Sequence, residues 1–470
     1  MFEHISPEEA KVDSRGIIRF LDDMREKRLH MHALMILRHG KVIAEASFAP
    51  WSKDSKHILF SLSKSFTSTA VGFAVQDGLI KTSDRLIDFF PELLSNPPCE
   101  NMQKITVKHM LTMNTGHKVE ATRQDDCWEQ AFLHSYIEYE PGTHFMYNTF
   151  ATYMLSAIVQ KVTGRKLLDY LREKLFEPLE MSDDIWTEES PTGIATGGYG
   201  LNVRVEDIAK LGQFYLQEGK WNGKQLLGPE WIRDARTPWS DNSPTGGDSD
   251  WGMGYGYQFW MCKPDNVFRG DGAFGQYCVV CPDQDMVIAI NSGVKDMGAV
   301  LNSIWENILP AVDREADPSA DLSARLKDTA TPAMWEDEPE DVAAPAPDKA
   351  WLGKYRLSKD NIFGADTLEV NENSVCLIIG GSRNEIPLCK DAWQSTRFEI
   401  GEGYTARYSS RPAVRAARTD NELLIHICYT GTPFEDTLRI RFVDHGIEIN
   451  GNRNVGFGNA GGYEIIGYRL

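Results

Sequence analysis

Ser61-Leu62-Ser63-Lys64 places a hydroxyl and an amine three residues apart, at the head of a segment with apolar residues at Leu62, Phe66, Ala70, Val71, Phe73 and Ala74. That spacing predicts a helix ending at Gly78, and residues i and i+3 of a helix share a face. A serine hydroxyl becomes an effective nucleophile when a neighbour takes its proton, and a lysine can do so when burial or nearby cations favour its neutral form. The chemistry on offer is acyl transfer. A second match, Ser292-Gly293-Val294-Lys295, follows the apolar run Met286-Val287-Ile288-Ala289-Ile290 and carries a glycine inside it. It reads as the end of a strand and a turn. The bland alternative for Ser61, a helix cap followed by a surface lysine, is weighed against what lies downstream.

Downstream, Pro141-Gly142-Thr143-His144-Phe145-Met146-Tyr147-Asn148-Thr149 leads into a helical pattern over 150–162 that Gly164 closes. Further on, Phe268-Arg269-Gly270-Asp271-Gly272-Ala273-Phe274-Gly275 precedes a predicted hairpin over 276–290. In this order and at these wide separations the three elements resemble those of the serine beta-lactamase and penicillin-binding-protein-like hydrolases, in particular the class C-like branch of esterases, amidases and D-amino-acid peptidases. In that family Ser-x-x-Lys, Tyr-x-Asn or Tyr-x-Ser, and a Lys-Thr-Gly or His-x-Gly strand line one cleft. The resemblance covers residues 13–310.

The resemblance implies a role for each matched residue. Ser61 would attack a carbonyl, Lys64 would help deprotonate it, and Tyr147 would pass the proton to the leaving group and later assist water. The oxyanion donors would be the backbone N–H groups of Ser61 and Ala273. Asn148, Thr149, Gly270, Asp271 and Gly272 would contact substrate, the glycines leaving room for it along the strand edge. Two departures qualify the match. Thr149 stands where the family has Asn or Ser, keeping a hydroxyl and losing an amide. Gly270-Asp271-Gly272 occupies the Lys-Thr-Gly position, so the cation that binds a carboxylate is absent. Arg269 is adjacent, but strand neighbours point to opposite faces.

Several elements must position these residues. Asp13-Ser14 caps a predicted helix with Ile17, Ile18, Leu21 and Met24 on one face, and 33–37 with 42–48 flank a His39-Gly40 turn as a hairpin. A mostly helical block follows, with helices predicted over 107–113, 150–162, 166–175 and 205–217. Strands return at 255–262, 267–269 and 276–290, and a helix over 300–309 closes the unit. Strands at both ends of a helical block predict an α+β domain, one antiparallel sheet made from the termini and covered by helices. This is also the architecture the resemblance implies.

The acidic, proline-bearing stretch 311–350 reads as a linker. Beyond it, 351–470 alternates apolar and polar residues, as in Leu423-Leu424-Ile425-His426-Ile427-Cys428-Tyr429, and predicts an all-β sandwich or small barrel. It resembles the lipocalin-like β domains that some relatives carry. The expected organisation is therefore 1–310 hydrolase domain, 311–350 linker, and 351–470 β domain.

Composition excludes other classes. With 49 basic and 68 acidic residues and a net charge of -19, the chain repels phosphate backbones and anionic lipid. Neither nucleic acid nor a membrane surface is an expected partner, and nothing fixes an oligomeric state. No apolar run approaches the roughly 18 residues of a membrane span, and the first residues lack the basic and apolar regions of a signal peptide, so a cytoplasmic setting is expected. The 8 cysteines are scattered and form no disulfide framework. Cys278-Val279-Val280-Cys281 has no partner pair at zinc spacing, so no metal or other cofactor is expected. Gly270 to Gly275 satisfies Gly-x-Gly-x-x-Gly but precedes a strand, where a dinucleotide site needs a helix. The expected function is a serine hydrolase acting on a small ester or amide through an acyl-enzyme, weak on β-lactams. The alternative is a penicillin-binding-like sensor that acylates or docks ligand without efficient turnover.

Overall fold

The computed structural model describes residues 2–94, 96–122, 126–314, 321–327, 346–398 and 411–470. Its first half is built around a sheet drawn from both ends of one domain. The hairpin Met31–Arg38 and Lys41–Ser47 pairs through its first strand with Met286–Ser292, Leu34 standing opposite Ile290. Gln276–Cys281, Phe268–Gly272 and Trp260–Met261 follow in turn, giving a 6-stranded antiparallel sheet.

Both faces of this sheet are covered, which explains why its strands read as continuous apolar runs. Alternate residues take opposite sides. Ala33, Met35, Leu37, Val280, Val287 and Ala289 join a core formed with the helices Ser63–Gln76, Thr149–Thr163 and Val205–Leu216. Leu34, Ile36, Val279, Ile288 and Ile290 join a second core under the helices Ser14–Glu26 and Met297–Ser303. The Asp13 side chain caps Ser14–Glu26 by accepting from the Arg15 N–H at 3.0 Å. Phe20 takes a place on its buried face while Ile18 is only partly covered.

Two local expectations are corrected. The strand expected over 255–262 shrinks to Trp260–Met261. Gln258 has a φ of 65°, and its buried amide donates to the carbonyls of Met110 and Leu111 at 3.1 and 2.8 Å, which breaks the extended run. The helix expected from Ser61 begins instead at Ser63, after a 3₁₀ turn over Phe60–Leu62.

The C-terminal part is a nearly closed all-β barrel. Its 10-stranded sheet runs from Ser382–Pro387 through Ser374–Ile379, Thr367–Val370, Gly353–Leu357, Gly461–Arg469, Gly446–Arg453, Glu435–Val443, Glu422–Cys428 and Ala413–Arg418 to Gln394–Ser395. The Thr396 hydroxyl donates to the carbonyl of Glu385 across the remaining gap. Between the two units, a short helix Leu322–Lys327 lies against Ser14–Glu26, with Leu322 in the second core and Arg325 paired with Asp22. Residues 315–320 and 328–345 of the expected linker lie outside the described residues.

The barrel is tied to the N-terminal α+β domain by apolar and polar contacts. Ile58 and Phe60 belong to the barrel's own apolar core, and the Ile58 N–H donates to the carbonyl of Gly431 at 2.8 Å. Buried Glu435 lies between His30 Nδ1 at 3.3 Å and His426 Nε2 at 2.8 Å. Among the described residues no helix is long and apolar enough to cross a membrane.

Candidate active site

The turn and helix that carry Ser61 and Lys64 bring their functional atoms together. Lys64 is 1% exposed, and its Nζ lies 3.1 Å from Ser61 Oγ, 3.2 Å from Thr149 Oγ1 and 2.8 Å from the carbonyl oxygen of Gly198. The carbonyl can only accept. A neutral amine that donates to Gly198 and to Thr149 therefore has its lone pair left for the Ser61 hydroxyl proton. Ser61 itself is partly exposed, so a ligand can reach it.

Tyr147 sits where the chain enters the helix Thr149–Thr163. Its ring stacks on Trp260 with centroids 5.2 Å apart, and Lys64 Nζ lies 4.8 Å from the ring centroid. Burial pushes the phenol far above its usual range and the charge of Asp271 adds to this, while a hydrogen bond toward Ser61 draws it back. Asn148 is 0% exposed, and its side-chain oxygen accepts from the Ala151 N–H at 3.0 Å. Its side-chain oxygen thus caps the helix, while its Nδ2 lies 3.5 Å from Thr115 Oγ1. Thr149, one residue later, faces Lys64.

The strand Phe268–Gly272 forms the third side. A Cβ at Gly270 would lie 2.4 Å from Leu62 Cδ1 and 2.5 Å from Ser65 Oγ, and one at Gly272 would lie 1.9 Å from the carbonyl oxygen of Leu59. These glycines let the strand pack directly on the serine-bearing segment, a reason other than the room for substrate expected of them. Arg269 pairs with Asp271, both of its contacting nitrogens standing 3.0 Å from Asp271 Oδ2. Its guanidinium also donates to the carbonyls of Asp250 and Met261. Fully buried and so engaged, Arg269 does not replace the missing lysine at 270. On the strand Phe268–Gly272, Trp260–Met261 pairs with Arg269 and Phe268 and reaches no further, so among the described residues Gly270 to Gly272 have one edge without a strand partner. Ala273 follows at the turn into Gln276–Cys281.

Ser292 is excluded as a rival nucleophile. It is 1% exposed, and its hydroxyl is within 3.0 Å of the Phe274 carbonyl and 2.7 Å of that of Gly275, as befits a residue bracing the turn. Cys278 and Cys281 fall in opposite cores and cannot share a ligand. His426, Cys428 and Glu435 form the one group of metal-ligand types found among the described residues. It belongs to the barrel junction, where histidines already bracket the carboxylate. Two surface cavities, one beside His117 and one beside Trp221, are lined by neither Ser61, Lys64 nor Tyr147. The Gly198 carbonyl was not foreseen, nor were the rings of Tyr255 and Trp260 packed at 6.1 and 5.2 Å from that of Tyr147. The glycine pair Gly197-Gly198 was the available signal for the first.

An antiparallel sheet drawn from both domain ends, with Ser-x-x-Lys on the turn and first residues of the covering helix and a tyrosine beside it, defines a class of α+β hydrolases. The chain belongs to the beta-lactamase family, whose sequence profile matches residues 18–312. It is 26% identical over 311 residues to a 6-aminohexanoate-dimer hydrolase of Paenarthrobacter ureafaciens, covering 60% of this chain and 78% of that one. A family VIII carboxylesterase superposes with a TM-score of 0.52 at 16% identity, over 65% of this chain and 99% of that one. SurE superposes with a TM-score of 0.54 at 17% identity, over 99% of this chain and 100% of that one, so its likeness of fold extends through the barrel.

Proposed function

We propose that this chain is a serine hydrolase that cleaves a small ester or amide through an acyl-enzyme on Ser61. The observation that carries the reading is Lys64 Nζ, held 3.1 Å from Ser61 Oγ by two further acceptors. Lys64 takes the serine proton as Ser61 attacks the carbonyl, and the N–H groups of Ser61 and Ala273 receive the oxyanion. Tyr147, kept protonated by burial, donates to the leaving group as the acyl-enzyme forms. The proton on Lys64 then passes to the Tyr147 oxygen and restores both groups; water attacks the acyl carbon as the Lys64–Tyr147 pair takes its proton, and that proton returns to the Ser61 oxygen as the acid leaves. The open edge at Gly270 to Gly272 is where an extended substrate would align. Relatives named as a 6-aminohexanoate-dimer hydrolase and a family VIII carboxylesterase support the ester or amide class. Weak action on β-lactams follows from a glycine at 270 and an arginine already neutralised by Asp271. A cytoplasmic setting fits cysteines that are all free thiols.

One observation favours a second reading. Burial holds the Tyr147 phenol in its protonated form, which leaves no phenolate to take a proton from water; attack by water would then be slow and the acyl-enzyme would persist, as in a sensor. p-Nitrophenyl acetate, D-alanine p-nitroanilide and nitrocefin, assayed with wild type and Ser61→Ala, separate the readings. Steady turnover of ester or anilide that Ser61→Ala abolishes supports the hydrolase. A single burst without turnover supports the sensor, and hydrolysis that survives Ser61→Ala overturns both.

A further inference from the structure

The residues flanking the two oxyanion donors are gripped from the barrel. Phe60 immediately precedes Ser61 and has a φ of 45°, and Phe274 immediately follows Ala273 and has a φ of 66°. Left-handed backbone is uncommon for bulky side chains, and it persists where the surroundings over-determine it. The Phe60 and Phe274 rings meet edge to face with centroids 5.7 Å apart. Phe434 of the barrel approaches them at 6.2 and 5.8 Å, and Phe457 at 5.4 and 4.9 Å. Four rings, two from each unit, form one cluster.

Backbone bonds hold the same place. The Ile58 N–H reaches the Gly431 carbonyl, two residues before Phe60, at 2.8 Å. Asn454 Nδ2 donates to the Gly293 carbonyl at 3.2 Å, and the neighbouring Val294 N–H donates to the Phe274 carbonyl at 3.0 Å. The backbone angles of Phe60 set the plane of the peptide that carries the Ser61 N–H. Phe274 pins the turn that carries the Ala273 N–H, closed by Gly275 N–H to the Gly272 carbonyl at 3.2 Å.

We propose that Phe434 and Phe457 of the barrel are positioning residues for acyl transfer, holding Phe60 and Phe274 so that the N–H groups of Ser61 and Ala273 converge on the substrate oxygen. The inference rests on the acyl-enzyme reading above. It gives the barrel a part in the reaction, since the oxyanion site is completed by aromatic contacts that the hydrolase domain lacks by itself.

The test uses the full chain and p-nitrophenyl acetate. Phe457 is 57% exposed, so Phe457→Ala removes ring contacts with little loss of buried core. Complete loss of one oxyanion donor lowers kcat by roughly 10²- to 10³-fold, and a misaimed donor forfeits part of that. The expected result for Phe457→Ala is a fall in kcat of about tenfold or more, with KM within about twofold of wild type. Fluorophosphonate labelling, whose phosphoryl oxygen enters the same site, should slow in parallel. Phe457→Tyr keeps the ring and should restore kcat, and Phe434→Leu tests the buried partner independently. Unchanged kcat in Phe457→Ala, a change in KM alone, or failure of Phe457→Tyr to restore kcat would overturn the inference. A Ser61→Ala control is separate: hydrolysis that persists there refutes the acyl-enzyme reading itself.

Discussion

Arg269 and Asp271 sit two residues apart on one strand, and their ion pair is closed at 3.0 Å with side chains only 0% and 6% exposed. The arginine is further enclosed by Trp251 and Trp260, 4.8 and 5.8 Å from their ring centroids. Burial pushes the Asp271 carboxyl up, against the pull of Arg269. Removing one member of such a pair strands the other, at a cost of about 3–5 kcal/mol. Asp271→Asn should therefore lower the unfolding free energy measured in urea by that order, without improving nitrocefin hydrolysis. A variant of wild-type stability, or one that gains β-lactamase activity, would show that Arg269 is available to ligands.

Restoring a lysine at position 270 should fail for a steric reason. The Gly270 Cα faces Leu62 and Ser65, and a Cβ there would lie 2.4 and 2.5 Å from their side-chain atoms. Gly270→Lys should lose ester hydrolysis as well as stability, and Gly270→Ala should already destabilise by about 1–3 kcal/mol through overpacking. Thermal unfolding and ester kinetics read both effects. A soluble Gly270→Lys enzyme with enhanced nitrocefin turnover would refute the packing argument.

The Lys64 cluster predicts a graded series. Lys64→Ala and Tyr147→Phe should each reduce kcat by at least about 10²-fold, the usual contribution of a general acid or base. Thr149→Val removes one acceptor of Lys64 and leaves Gly198, so its loss should stay near tenfold, roughly one hydrogen bond. A Thr149→Val defect as large as that of Lys64→Ala would mean that Thr149 itself exchanges the proton.

What the sequence made legible follows from the range over which each feature acts. Ser61 and Lys64 are one turn apart, and the runs that build the sheet are apolar because both faces are buried, so spacing and hydrophobicity carry both. Gly198 acts through a backbone carbonyl, which leaves no side-chain signature. The capping by Asn148 follows a local preference, since asparagine is favoured before a helix. Alternation announced two-sided strands in the C-terminal part, whereas closure into a barrel depends on tilt and stagger between strands. The Phe60 cluster joins distant segments, and nothing local in Phe434 or Phe457 distinguishes them from core residues.

The last prediction concerns acid. His57 is fully buried, and burial, with His32 beside it, lowers its pKa to about 3, while burial alone lowers that of His117 to about 4. His57 Nδ1 donates to the Ile58 carbonyl at 2.9 Å, so its Nε2 must accept from His32 Nδ1 at 3.0 Å. A second proton on His57 would point at a nitrogen that is already donating. In the unfolded chain both histidines titrate near 6.5. Between these folded values and 6.5 the unfolded state binds more protons, so stability is complete above about pH 6.5 and falls as pH decreases, by up to about 1.4 kcal/mol per pH unit for each histidine. Burial also lowers the pKa values of His32 and His109, so urea unfolding at pH 7.5, 6 and 5 should show a plateau followed by that decline, and His57→Gln should remove its share of the slope and leave the rest. The Ile58 N–H holds the barrel and Phe60 adjoins Ser61, so esterase activity should disappear over the same pH interval as the fold. A stability that rises on acidification from pH 6.5 to 5, or a slope unchanged by His57→Gln, would show that His57 gains its proton without disturbing the junction.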